Sequence, residues 1–220
     1  MFRLLILVWQ RMAFNSLVSG DYQKAEKYFR RIHRYKSSDG GFEYNMGLIK
    51  LAQCDFEEAE VFFKKDLDLY GESFNRSRVM GDLYYIWGQR DKAGDWYKKS
   101  IADCTTAVDR NILKMRIQKC NSEKVFNDVR KSHISFNMGN QLVKEKKYEE
   151  GLVAFSNAVE QDNTNFQALN NKGSILMNHF HNYRDSLVCF EKALNYSSLP
   201  AISINVNKAR EAIKKGNKDE

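Results

Sequence analysis

The chain has 220 residues, of which 43% are hydrophobic and 29% charged, so it has enough apolar material for a core, and wholesale disorder is excluded. A single proline and twelve glycines leave little for the tight turns of an all-β fold, and stretches rich in Lys, Glu, Leu and Ala favour helix. The net charge of +7 would suit acidic partners, nucleic acid or an anionic membrane face without choosing among them.

The first element is an apolar run from Leu4 to Trp9, six residues long and too short to span a bilayer. It reads as one face of a packed helix, the alternative being the start of a longer anchor. Trp9, Met12 and Ala13 mark that helix; Gly20 suits a left-handed stop, and Asp21 sits where the next helix needs an N-cap. The second helix carries Ala25 and Phe29 together with a basic cluster, Lys24, Lys27, Arg30, Arg31, Arg34 and Lys36, opposed only by Glu26. The favoured reading of this cluster is a solvated convex face. The alternative is an anion contact through Lys27, Arg30, Arg31 and Arg34, with Tyr28 and Tyr35 able to stack on bases.

Met46 and Gly47 open a second helical pair, completed by Ala59 and Phe63, with Asp55 and Glu58 in a D-x-x-E capping pair. A third pair has Met80, Gly81 and Tyr84, a stop at Gly88, a cap at Asp91, then Ala93 and Tyr97. Ala25, Ala59 and Ala93 are 34 residues apart, and each has an aromatic four residues later. From Ala93 to the corresponding Gly151 the interval is 58 residues, so 24 are inserted, at about 108–131. Ile112, Met115, Val125, Phe126 and Val129 give this insert a helical pattern, either extending the flanking helices or forming a pair of its own. A fourth unit follows with Met138, Gly139, Leu142, Tyr148, Gly151, Phe155 and Ala158. The fifth has Gly173, Tyr183, Ser186, Phe190 and Ala193, with one extra residue in the turn between Asn178 and Asn182. Pro200 opens a final helix to about Lys215.

These residues, an aromatic or large apolar, a small residue, then A-x-x-x-F at a 34-residue period, resemble the tetratricopeptide-repeat (TPR) family over about 6–107 and 132–199. The resemblance implies an all-α superhelical solenoid of about five helix-turn-helix repeats. The expected organisation is units 1–3 in 1–107, a helical insert in 108–131, units 4–5 in 132–199, and a capping helix with tail in 200–220. Small residues let the two helices of a repeat close up while the aromatic fills the space beside them. Ala59 and Ala93 should not tolerate enlargement; Lys65, on the outer face, should.

The family's concave surface, lined by first helices, is the expected binding groove. Helical spacing assigns to it Gln10, Phe14, Leu17 and Val18; Tyr44, Leu48 and Leu51; and Asn75, Arg78, Asp82 and Tyr85. From the later units come His133, Phe136, Asn140 and Lys144, then Gln167, Asn170, Ser174 and Asn178, and the family resemblance adds Asn171. Tyr44 and Tyr85 are expected to face solvent. Some family members hold a chaperone's C-terminal carboxylate with lysines, asparagines and an arginine. Asn140 and Asn171 occupy matching places, but Phe136 stands where the first lysine belongs and Asn205 where the arginine belongs, which argues against such a clamp.

No nucleophile with its base, paired carboxylates, phosphate loop or metal-ligand spacing is recognisable. His179 and His181 flank Phe180 in a polar turn. Cys54, Cys104, Cys120 and Cys189 are widely spaced and read as reduced thiols. The expectation is a non-enzymatic, cofactor-free cytoplasmic adaptor for a protein or peptide, without a membrane span. A nucleic-acid or acidic-partner protein is the runner-up and an enzyme on a repeat frame the third reading.

Overall fold

A computed structural model describes residues 2–18, 20–35, 41–197 and 200–216. Among the described residues there are twelve α-helices and no strand, as the repeat count requires. They form two compact units, Met1–Asp103 and Cys104–Glu220. Lys36 of the basic cluster lies outside the described residues.

Unit 1 is three hairpins: α1 (Phe2–Val18) with α2 (Tyr22–Tyr35), α3 (Phe42–Ala52) with α4 (Phe56–Tyr70), and α5 (Phe74–Trp87) with α6 (Arg90–Ala102). Each hairpin turns through one left-handed residue: Gly20 at φ 79°, Cys54 at 62° and Gly88 at 85°. Asp21 and Asp55 cap the helices that follow, their side chains accepting the backbone N–H groups of Lys24 and Glu58. The reciprocal half of the Asp55–Glu58 box does not form, because the Asp55 N–H is already committed to the Lys50 carbonyl. Glu58 turns instead to the Lys50 ammonium at 2.6 Å. Asp91 is not a cap: Gln89 holds that position, and Asp91 falls inside the first turn of α6, where its charge still complements the helix dipole.

Close approach of the paired helices is local and steric. A β-carbon on Gly81 would meet the Tyr97 ring at 2.5 Å, and Gly47 lies in the same way under Phe63. Ala13, Ala25, Ala59 and Ala93 are fully buried. In unit 1 one buried charge is paired within the second hairpin and another between the second and the third. Glu43 is 4% exposed and bonded by Lys65 at 3.1 Å, while Asp66, 1% exposed, receives Arg76 Nε at 2.7 Å. Lys65 is thus not a silent surface position, since enlarging it to Phe would strip a buried carboxylate of its cation.

Unit 2 contains α7 (Ala107–Cys120), α8 (Glu123–Lys144), α9 (Tyr148–Gln161), α10 (Phe166–Asn178), α11 (Tyr183–Leu194) and α12 (Pro200–Gly216). The inserted residues become most of α7 and the leading turns of a 22-residue α8. Ile112, Leu113, Phe126 and Val129 bury the apolar side of this addition. Gly139 sits under Phe155 and Gly173 under Phe190 as in unit 1. The extra residue of the fifth unit is absorbed in the α10–α11 turn, where His181 takes φ 52°.

Candidate functional site

In unit 1 the first helices α1, α3 and α5 bring Gln10, Phe14, Tyr44, Leu48, Arg78 and Asp82 to partly or fully exposed positions, while Leu17 and Leu51 are half-buried and Asn75 exposed. The side chain of Val18 is outside the described set. Tyr85 departs from expectation. It is fully buried, one turn beyond Gly81, with its ring edge-on to Tyr97 at 5.8 Å, so it is core and not groove. Tyr44 is half-buried against Phe63 at 5.9 Å. Burial, then the nearby Asp82 carboxylate, raises its phenol above the ordinary value. Asp82 accepts the Tyr97 hydroxyl at 2.7 Å and lies 3.8 Å from Arg78. Gln10 and Phe14 share a cleft of about 150 Å³ with Phe29, Ile32, Phe42 and Asn45.

In unit 2, α8, α10 and α12 carry a relay of side-chain amides. Asn205 donates to Asn170 at 2.9 Å, Asn170 to Asn171 at 3.3 Å, and Asn171 to Asn140 at 2.9 Å. All four are half-buried. Ser174 turns back to the Asn170 carbonyl at 2.9 Å, Gln167 is half-buried, Asn178 is exposed, and Lys144 is exposed in the last turn of α8. Phe136 lies beside Phe155 at 5.8 Å. His133 is half-buried, and burial followed by the Arg116 charge lowers its pKa to about 4, keeping the ring neutral. The relay's continuation to Asn205 is beyond what helical spacing alone reveals. The sequence signal was that Asn171 and Asn205 stand 34 residues apart, one repeat period.

The basic face of α2 is partly used within the chain. Arg30 bonds Glu26 at 2.8 Å, and Arg31 stacks over the Trp9 ring at 4.3 Å, while Lys24, Lys27 and Arg34 are exposed. His179 stacks on Tyr148 at 3.5 Å and His181 lies 3.3 Å from the Tyr183 hydroxyl. Among the described residues no group of three or more His, Cys, Asp or Glu is placed to hold a metal. Cys104, Cys120 and Cys189 are buried and Cys54 exposed; burial pushes the Cys189 thiol up, away from reactivity. No described helix is long and apolar enough to cross a membrane.

No family model matches the sequence, and no curated protein does. Among solved structures the chain is similar to the TPR2AB domain of yeast Sti1 in its pHSP90 complex, at 12% identity over 96% of this chain and 85% of that one, with a TM-score of 0.48. It is similar to YrrB, a TPR protein described as having an unusual peptide-binding site, at 16% identity over 91% and 90%, with a TM-score of 0.42. It is also similar to PilF of Pseudomonas aeruginosa, at 12% identity over 97% and 87%, with a TM-score of 0.38. What those proteins bind is a property of theirs.

Proposed function

We propose that this chain of tetratricopeptide-type hairpins is a non-catalytic scaffold that holds an extended segment of a protein partner along first-helix faces, with the contacts concentrated in unit 2. The observation that carries this reading is the asparagine relay from Asn205 through Asn170 and Asn171 to Asn140. A row of amides presents donors and acceptors at once, which matches the alternating N–H and C=O groups of an extended backbone. Because each amide is already positioned by its neighbour, little side-chain entropy remains to be lost on binding. Phe136 and Lys144 on α8 add apolar area and a charge beside the relay. Phe136 and Asn205 put neutral groups where a carboxylate clamp needs cations, so the segment is internal to its partner and not a free C-terminus.

The test begins with capture of the partner by the full chain, identification by mass spectrometry, and measurement of its affinity. Asn140→Ala with Asn171→Ala should leave helix content unchanged and weaken binding by about 1–3 kcal/mol, the range for interface hot spots. Replacing Arg30, Arg31 and Arg34 by Glu is the comparison. Loss of affinity in that variant, with none in the asparagine variant, would put the partner on the basic helix instead.

A further inference from the structure

In the first turns of α1 apolar side chains point outward in nearly every direction the core leaves open. Leu4 is 72% exposed, Leu7 58%, Val8 48% and Leu5 40%. With about 100° between successive residues, these four spread around the outer half of the helix. Met12, one turn further, is 38% exposed, whereas its repeat equivalents Met46 and Met80 are fully buried. The exposure therefore belongs to this end of unit 1 and not to the repeat position.

Charge around this surface is mainly positive, with Asp21 and Glu26 the acidic residues of its α2 side. No acidic residue precedes Asp21, and Arg11 is exposed on the same side of α1. On α2, Lys24, Lys27, Arg31 and Arg34 recur every three or four residues and so share one face. That face is held next to α1, because Arg31 sits over Trp9 at 4.3 Å and Tyr35 lies 5.5 Å from the same ring. A second copy would bring these cations against their own kind. A single partner helix covers one stripe of α1, whereas Leu5 and Leu7 leave the helix about 160° apart. A fluid apolar medium with an anionic surface meets both demands, and an interfacial helix rimmed by cations and aromatics is the form that suits it.

We propose that α1 lies in the interface of an anionic lipid bilayer, with Leu4, Leu5, Leu7 and Val8 among the acyl chains and the Lys24–Lys27–Arg34 face of α2 on the headgroups. The experiment is flotation of the full chain with phosphatidylcholine vesicles and with vesicles containing about 30% phosphatidylserine, a composition whose surface potential attracts basic segments. The parent should float with the anionic vesicles only, and raising salt from about 0.05 to 0.5 M should release it as charge is screened. Leu4→Gln with Val8→Gln, both at exposed sites, should bind at least about tenfold more weakly with unchanged helix content and melting. Lys27→Gln and Arg34→Gln should each weaken binding about fivefold. No flotation with either vesicle, equal flotation with both, or parent self-association abolished by the Leu4/Val8 variant would each overturn the proposal.

Discussion

Gly81 lies directly beneath the ring of Tyr97, where a β-carbon would come within 2.5 Å of Cδ1. Glycine inside an exposed helix normally costs about 1 kcal/mol relative to alanine, so the usual expectation for Gly→Ala is a gain. Here the sign should reverse. Gly81→Ala must displace a fully buried tyrosine and should destabilise unit 1 by about 1–3 kcal/mol, read from urea denaturation. Gly151 occupies the position held by Ala25, Ala59 and Ala93 in the earlier units, and its nearest obstacle is a Val143 methyl at 3.1 Å. Gly151→Ala should be neutral or stabilising. Equal losses at both sites would contradict the packing described.

Asp162, 3% exposed, joins the inserted helix to the rest of unit 2. It receives Lys119 Nζ at 2.5 Å, the Thr164 N–H at 2.9 Å and the Thr164 hydroxyl at 2.6 Å. Burial raises its pKa, but the hydrogen bond and charge of Lys119 outweigh this and hold it below the ordinary carboxylate value. Lys119→Met leaves that buried carboxylate without its cation and should cost about 3 kcal/mol. Adding Asp162→Asn should recover part of the loss. A Lys119→Met chain as stable as the parent would show that the pair does not hold α7.

His133 sets an acid limit. Burial first, then Arg116, lowers its folded pKa to about 4, whereas an unfolded histidine titrates near 6.5. Between those values the unfolded chain binds the proton and the folded chain resists it, so stability falls as pH drops from about 6.5 to 4, by about 1–3 kcal/mol. Asp162, whose folded pKa is depressed, adds its loss at lower pH, below the ordinary range for an unfolded carboxylate. Melting temperatures at pH 7 and 4.5 should differ, and His133→Gln should flatten the slope across that interval. An unchanged slope would assign the acid sensitivity elsewhere.

Lys146 adopts φ 62° in the α8–α9 turn, the place Gly20 and Gly88 take in their own hairpins. A side chain there carries a left-handed penalty that glycine avoids. Lys146→Gly should therefore raise stability by about 0.5–1 kcal/mol after the extra entropy of an unfolded glycine is counted. A lower melting temperature would mean that the Lys146 side chain contributes more than its backbone costs.

Much of this architecture was written locally. The interval from Gly47 to Phe63, Gly81 to Tyr97 and Gly139 to Phe155 is sixteen residues, which is the path along one helix, through a turn and back to the same level. Period, hairpin stops and the small-under-aromatic contact were therefore legible, and helix faces followed from the 3.6-residue repeat. What lies over a face was not. Tyr85 shares helical phase with Asp82 and Arg78 yet is core, because Tyr97 from the returning helix covers it. Lys65 carries no mark of its bond to Glu43, and Asp91 none that Gln89 precedes it as the cap position. The insert's link to the rest of unit 2 depends on Lys119 finding Asp162 43 residues away, and the amide relay on Asn205 reaching Asn170 across 35. Sequence periodicity reports the direction in which a side chain leaves its own helix; which atoms wait there is set by the spacing and tilt of a neighbouring helix, and only the folded chain decides it.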